Sequence, residues 1–228
     1  MGVEVYEKLR QHLDRLPLGA PKTAEGVEIE FLKRLFTEEE AELATQLIPM
    51  PEGLDSIAQR TGRDKGALSA KLEAMADKGL VFRVGEKGNR CYNIIPILPG
   101  IYEFQVDRID AELAHIFDDY YMKALGNEVF GAKTPWMRVV PVEREIPQQM
   151  EVFPYEKVSE IIKAADVICV AECICRKERK LVGAGCDAPT DNCLVFSHWA
   201  HFDLENGSGR RITQEEALQI AKKAEEAG

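Results

Sequence analysis

Residues 54–95 read LDSIAQRTGRDKGALSAKLEAMADKGLVFRVGEKGNRCYNII, and this stretch decides the fold of the N-terminal part of the chain. It predicts two helices joined by a turn at 61–64, because apolar residues recur at helical spacing after that turn. These residues are Leu68, Leu72, Met75 and Ala76. Gly79 is typical of the residue that ends a helix. Two apolar runs then flank the glycine-bearing segment 85–89, which predicts a β-hairpin.

Two helices, a turn and a hairpin "wing" resemble the winged helix-turn-helix fold, in which the second helix of the motif enters the DNA major groove. Residues 54–91 carry eight Lys and Arg against five Asp and Glu, a local positive excess in an acidic chain. We expect contacts with DNA or a partner protein from the second helix and the wing. The candidate contact residues are Arg63, Lys65, Ser69, Lys71, Lys87 and Arg90. The fold also serves protein–protein contacts, so both interpretations stay open.

Helices are predicted on both sides of this motif. Thr37 and Glu40 form the pattern of a capping box, which starts a helix that stops before Pro49. An apolar stripe predicts one continuous helix over 101–125. Further along, local patterns predict strands at 137–142 and 167–170 and helices at 155–165 and 214–226, the last capped by Thr213.

These elements indicate an α+β chain of four segments. The segments are an N-terminal helix and connector (1–25), the winged helix-turn-helix (26–100), a connecting helix (101–131) and a small α/β domain with a four-cysteine site (132–228).

Four cysteines with the spacing C-x-C-x10-C-x6-C lie in the last segment. They are Cys173, Cys175, Cys186 and Cys193. Soft thiolates bind iron–sulfur clusters, zinc or copper(I) in preference to hard cations, and four thiolates suit a cluster or a structural zinc ion. The first two cysteines can both point inward from an irregular loop. The spacing therefore predicts a thiolate metal site without choosing its metal.

Nearby residues provide accessory candidates. Arg176 follows the first two cysteines, where its charge would offset that of a thiolate-ligated cluster. His198 and His201 could replace a thiolate, although such histidines more often pack beside a site. Cys169 lies in an apolar run and is predicted to be a buried thiol, and Cys91 in the wing is interpreted as structural.

The composition limits the classes of function. The net charge of −10 and the sequence pI of about 5.1 disfavour non-specific nucleic-acid binding. No apolar run is long enough to span a membrane, and the N-terminus lacks the pattern of a signal peptide. We therefore expect a cytoplasmic protein without membrane insertion, whose clustered thiols serve as ligands before disulfides.

Several motifs of the second half resemble one known family. The motifs are Cys173-Ile-Cys-Arg176, Gly185-Cys-Asp-Ala-Pro189, Cys193-Leu-Val-Phe196 and Gly209-Arg-Arg-Ile-Thr213 followed by Glu215-Glu-Ala217. Together with 96–103 and 141–154, they are similar to 4Fe–4S binding, ferredoxin-type proteins of anaerobic bacteria and archaea that carry an N-terminal winged-helix segment. The resemblance implies that the four cysteines are the cluster ligands. Members of that family continue into ferredoxin-like segments, so this chain resembles the part upstream of them.

The leading functional hypothesis is an iron–sulfur protein that transfers electrons and docks a redox partner protein through its wing. The alternative is a metal- or redox-responsive winged-helix transcription regulator that holds a cluster or zinc. A zinc-stabilised interaction module is a third interpretation. No arrangement of nucleophile, base and acid predicts an enzyme. A homodimer is left open.

Overall fold

The computed structural model describes residues 2–131, 133, 137 and 157–227. The protein is 57% helical and has two small antiparallel sheets of three strands each, which confirms the α+β class. It divides into two compact units, one of Met1–Thr134 with Leu181–Gly183 and one of Pro135–Lys180 with Ala184–Gly228. None of the described helices is long and apolar enough to cross a membrane.

Three helices open the first unit: α1 (Gly2–Leu13), α2 (Val27–Leu35) and α3 (Glu38–Ala44). The predicted capping box of α3 is present, because Glu40 N–H donates to Thr37 Oγ1 at 3.2 Å and Thr37 N–H donates to Glu40 Oε2 at 2.9 Å. No helix is predicted above where α2 lies, although its buried apolar residues recur at helical spacing. These residues are Val27, Phe31 and Leu32.

The predicted pair of helices around a turn is present as α4 (Leu54–Thr61) and α5 (Lys65–Asp77). Asp64 caps α5, because its carboxylate accepts a backbone N–H of the first turn at 2.9 Å. Gly79 follows α5 with a φ of 71°, and a Cβ there would lie 2.3 Å from Cβ of Phe104. Glycine adopts this left-handed backbone without strain, and its lack of a side chain leaves room for Phe104.

The sheet of the first unit consists of β1 (Glu52–Gly53), β2 (Phe82–Val84) and β3 (Cys91–Asn93), antiparallel in the order β1-β3-β2. β2 and β3 are the strands of the predicted hairpin. β1 lies between α3 and α4 in the chain and pairs with the other edge of β3. Two residues are too few to show the alternation that predicts a strand, so β1 has no signal in the sequence.

The predicted continuous helix over 101–125 is wrong in its first third. The backbone of Asp110 is extended, and its carboxylate accepts a backbone N–H three residues later at 2.9 Å, which starts a new helix. The apolar stripe is nevertheless largely buried, so the pattern found core residues and missed the break. The elements are turns at Ile97–Ile101 and Glu103–Gln105, α6 (Ala111–Tyr120), a π-helical turn (Tyr121–Leu125) and α7 (Gly126–Gly131).

Glu73 on α5 ties this helix to the hairpin. Its carboxylate accepts hydrogen bonds from Arg83 on β2, Arg90 in the turn and Tyr92 on β3. Arg83 also pairs with Asp77. The side chains of Arg83 and Arg90 are only 4% and 10% exposed, so water cannot replace Glu73 as the partner of their charges.

The sheet of the second unit has the order β5-β4-β6, and both strand pairs are antiparallel. In the described part of 132–228 the α/β prediction is therefore wrong, because its strands are neighbours in antiparallel pairs and not parallel strands joined by crossover helices. The elements are α8 (Val158–Ala164), β4 (Ile168–Ala171), α9 (Ile174–Leu181), β5 (Cys193–Phe196), α10 (Ser197–Asn206), β6 (Gly209–Arg211) and α11 (Gln214–Glu226).

Two elements predicted for this unit extend beyond the part that can be compared. The predicted strand at 137–142 lies outside the described residues except for Met137, as does the start of the helix predicted from 155. The remainder of that helix corresponds to α8. The last predicted helix is confirmed as α11, which Thr213 caps by accepting Glu216 N–H at 3.2 Å.

β4 buries both of its faces, because successive side chains of a strand point to opposite sides. Ile168 and Val170 belong to a core cluster with residues of α8 and α11. Val167 and Cys169 pack on the other side with Ala200 of α10. The sheet therefore lies between helices on both faces, and three of the four residues of its central strand are buried.

Replacing the carboxylate of Glu73 tests how far the hairpin depends on it. Glu73→Gln would place a neutral amide against two buried guanidinium groups, and we expect the free energy of unfolding to fall by on the order of 2 kcal/mol. Denaturant unfolding of the full chain measures this loss. The control is Glu86→Gln in the exposed hairpin turn, with an expected change within about 0.5 kcal/mol. Equal losses in both variants would contradict the role of Glu73.

Candidate metal centre

Cys173 is the residue from which α9 starts. Its carbonyl accepts a helical hydrogen bond from Lys177 N–H at 3.0 Å. A hydrogen bond from the Cys175 thiol, followed by a backbone N–H and the positive charge of Arg176, lowers the pKa of Cys173 to about 6, against the effect of partial burial. The loop predicted for these cysteines is instead a helix N-terminus, which stabilises negative charge. The lowered pKa favours the thiolate form of Cys173, which soft metals bind.

The strand ladder brings Cys193 to the end of β4 that leads to Cys173. Cys193 begins β5 and lies opposite Ala171, two residues before Cys173 in the chain. Cys173 N–H donates to the carbonyl of Thr190 at 2.6 Å, which ties the segment before β5 to the start of α9. Cys173 is half-buried, whereas Cys175 and Cys193 are exposed. Three of the four predicted ligands therefore lie around one end of the central strand.

Cys186 lies in the segment 184–192, which is anchored to α9 on both sides of it. Before Cys186, Gly185 packs so closely on Lys180 that a Cβ at Gly185 would lie 2.5 Å from Lys180 Cγ. After Cys186, the carbonyl of Pro189 accepts a hydrogen bond from Arg176. Cys186 is exposed. The fourth predicted ligand is thus held near α9 by contacts of its neighbours.

The described thiols do not form a site for a single metal ion. Within the described residues, no three Cys, His, Asp or Glu side chains are placed to hold a single metal ion. Four thiolates on one zinc ion, at about 2.3 Å each, would lie about 3.8 Å from one another. A cluster of four irons is bound by four thiolates, each on its own iron, so its ligands lie farther apart. Within the described residues, the thiols therefore form no ready-made zinc site.

The accessory candidates differ in their relation to the cysteines. Arg176 contacts the segment of Cys186 and its charge acts on Cys173, as described above. His198 and His201 lie on α10 and are both exposed, and in the part of the chain that the structure describes neither joins a metal-binding group with the cysteines. Their role as ligands stays a prediction.

The two remaining cysteines have different surroundings. Cys169 is fully buried, and burial raises its pKa to about 11, which agrees with the predicted inert thiol in the core. Cys91 is half-buried in β3 of the first unit, opposite Gly53 and Val84. Neither cysteine belongs to the group around the end of β4.

The candidate DNA or partner contacts of the first unit are mostly engaged in ion pairs. Lys65 pairs with Asp55 at 2.5 Å and Lys71 pairs with Glu39 at 2.6 Å. The other two paired residues are Arg63, at 3.6 Å from Glu42, and Arg90, which contacts Glu73. Ser69 is half-buried on α5. Lys87 in the hairpin turn is exposed, and no described acidic side chain pairs with it.

Helix α9 is the functional element that is missing from the sequence analysis. It begins beside Glu172, whose carboxylate pairs with Lys177 of the helix at 2.8 Å. The sequence contains a signal for α9, because the apolar residues after Cys173 recur at helical spacing and basic residues lie between them. The apolar ones are Ile174 and Leu181, and the basic ones are Arg176, Arg179 and Lys180.

Comparisons with known proteins add nothing to this geometry: no protein-family model, curated protein or solved structure matches the chain. The resemblance to 4Fe–4S proteins therefore depends on the cysteine and glycine motifs themselves and stays a prediction.

Gly209 is required by the buried sulfur next to the site. A Cβ at Gly209 would lie 2.4 Å from Sγ of Cys169 and 2.9 Å from the carbonyl oxygen of Val170. We expect Gly209→Ala to lower the free energy of unfolding by about 2 kcal/mol, because the crowded strand β6 would move away from β4. Calorimetric or denaturant unfolding measures the loss.

The control for this variant is Gly66→Ala in α5. A Cβ there meets only ordinary contact distances, and alanine favours the helix by up to about 1 kcal/mol. If both glycine variants unfolded alike, the contact with Cys169 would not be the reason for glycine at 209.

Proposed function

We propose that this chain binds a 4Fe–4S cluster through Cys173, Cys175, Cys186 and Cys193 and acts in electron transfer, as a carrier and not as an enzyme. The observation that carries the proposal is the position of Cys173. It lies at the N-terminus of α9, where Cys175 donates to it and lowers its pKa, and β5 brings Cys193 to the same strand end. A cytoplasmic location would keep these thiols reduced.

The residues around the cysteines suit such a group. Three thiols are exposed and therefore accessible to incoming iron and sulfide. Arg176 and the backbone N–H groups at the start of α9 compensate negative charge, which adjusts the potential of a thiolate-bound cluster. When bound, a 4Fe–4S cluster supplies a site that accepts and releases one electron. The protein positions the thiolates and controls the charge around them.

The first unit is proposed to be a winged helix that docks a redox partner protein. The order α3-β1-α4-α5-β2-β3, with β3 between the other two strands, supports this assignment. The ion pairs on α4 and α5 favour protein docking over DNA, because cations already paired with carboxylates gain little from phosphates. A homodimer through this unit is a further proposal.

Metal analysis of anaerobically purified protein tests the cluster. We expect about four irons and four sulfides per chain, with broad visible absorption from sulfur-to-iron charge transfer. Cys173→Ser and Cys186→Ser should each lose most of the iron and the colour, because serine removes one thiolate ligand. Cys91→Ser is the matched control and should keep both, since Cys91 lies in the first unit.

Two outcomes would contradict the cluster. A colourless protein with one zinc per chain, lost in the same two serine variants, would identify a zinc site instead. Colour that persists in Cys173→Ser and Cys186→Ser would show that other residues hold the iron.

A metal- or redox-responsive transcription regulator is the second candidate, and the exposed Lys87 at the tip of the hairpin is the observation that favours it. A wing places such a residue against the DNA backbone. In this interpretation the cluster or zinc would alter the affinity of the winged helix for DNA.

Binding of duplex DNA at several salt concentrations separates the two candidates. A regulator should bind DNA with an affinity that falls as salt rises, and Lys87→Ala should reduce the slope by about one counterion. If the protein is an electron carrier that does not bind DNA, no duplex should stay bound to it at about 0.15 M salt. Lys87→Ala should then have no effect. Retention that depends on Lys87 would overturn the preference for electron transfer.

A further inference from the structure

A cavity of about 420 Å³ lies in the first unit, beside the junction between α5 and the hairpin. This volume is within the range of small-molecule binding sites. The walls come from the end of α2, the segment between α5 and β2, and the residues from the Glu103–Gln105 turn to the start of α6. Among the described residues, the lining consists of three leucines and four polar side chains, which are Arg34, Lys78, Gln105 and Arg108.

Gln105 brings a buried hydrogen-bond acceptor to this cavity. The residue is 2% exposed, and its amide nitrogen donates to the carbonyls of Lys78 and Ile101 at 3.0 Å each. An amide nitrogen carries two hydrogens, so both are used and the orientation of the amide is fixed. In the part of the chain that the structure describes, no group donates to its Oε1. A ligand in the cavity should therefore offer an N–H or O–H to this oxygen.

Arg108 places a positive charge beside that acceptor. Its Nη2 donates to the carbonyl of Asp77 at 2.6 Å, and the next carbonyl in the chain, that of Lys78, holds the amide of Gln105. The guanidinium and the amide therefore lie side by side at the end of α5. Among the described residues, no carboxylate pairs with Arg108. Its other N–H groups suit a carboxylate of a ligand.

The other two cations of the cavity already have acidic partners. Arg34 pairs with Asp110 at 2.6 Å and with Glu112 at 3.4 Å. Lys78 pairs with Glu40 at 2.6 Å. Of the three described cations, only Arg108 thus keeps a charge without an acidic partner. A carboxylate with one negative charge matches this balance better than a phosphate group with nearly two.

We propose that this cavity binds an aliphatic α-amino acid. The carboxylate of the ligand pairs with Arg108, and its ammonium group donates to Oε1 of Gln105. Its aliphatic side chain packs on the leucines, which are Leu35, Leu80 and Leu113. The ligand binds without covalent chemistry and joins α2 and α6 to the segment that leads into β2. This proposal is independent of the cluster, because all of these residues belong to the first unit.

Isothermal titration of the full chain with leucine and two analogues tests the proposal. Isocaproate keeps the carboxylate and the branched chain of leucine but has no ammonium group to donate to Gln105. Isoamylamine keeps the amine and the branched chain but has no carboxylate for Arg108. We expect leucine to bind and each analogue to bind at least about tenfold more weakly, because each loses one charge-assisted hydrogen bond.

Arg108→Gln tests the charged contact from the side of the protein. It should weaken leucine binding about tenfold and leave isoamylamine binding unchanged, because isoamylamine has no carboxylate. The matched control is Arg15→Gln, the same substitution at an exposed residue of the same unit that is not among the described residues lining the cavity. It should keep the affinity for leucine within about twofold. Unfolding temperatures measured without ligand show whether both variants are folded.

Each other outcome overturns the proposal or a defined part of it. If leucine, isoleucine and valine all failed to bind the wild type, the cavity would not be an amino-acid site. Isocaproate binding as tightly as leucine would show that Gln105 is not the acceptor for the ammonium group. Tighter binding of the α-hydroxy analogue of leucine would identify a hydroxy acid as the ligand instead. Equal weakening by Arg15→Gln and Arg108→Gln would mean that net charge, and not the cavity, determines the affinity.

Discussion

The pairing of β4 with a strand on each side is the constraint on which the second unit depends. β4 has four residues, so each position of its ladders matters. A shift of β5 by one residue would move Cys193 from its place opposite Ala171 and turn its side chain to the other face of the sheet. On the other edge, Gly209 of β6 leaves the space that the sulfur of Cys169 fills. One strand therefore fixes the core and the arrangement of three cysteines.

The positively charged side chains have different surroundings in the two units. In the first unit Glu73 holds Arg83 and Arg90 nearly out of solvent, so these residues hold the hairpin on α5. The helix–turn–helix has a positive excess in sequence, yet most of it is internal to the fold. On α9, Glu178 is buried, whereas Arg179 and Lys180 are exposed. A count of charges along the sequence does not distinguish these cases, because the sign of a surface depends on which partners are within reach.

Elements with local signals could be predicted, and those set by distant contacts could not. Thr37 and Thr213 cap α3 and α11 as predicted, since a cap needs only neighbouring residues. Asp110 carries the same kind of signal, but it lies within an apolar stripe of helical period that outweighed it. The strands β1 and β6, of two and three residues, exist because β3 and β4 pair with them. For the site, residue type and spacing identified the four cysteines. Their arrangement around the end of β4 follows from the β4–β5 register, which no local pattern contains.

Helix α9 meets one chemical requirement of the proposed site, the compensation of negative charge. Four thiolates concentrate negative charge in a chain that already carries −10. The start of α9 compensates part of it, because backbone N–H groups and Arg176 face Cys173. The remainder of the helix presents Arg179 and Lys180 to solvent. The position of Cys173 depends on a turn of backbone that begins at its carbonyl, and Gly185 and Pro189 contact the helix that follows. Retention of the proposed cluster would therefore depend on neighbours of the cysteines as well as on the four thiols.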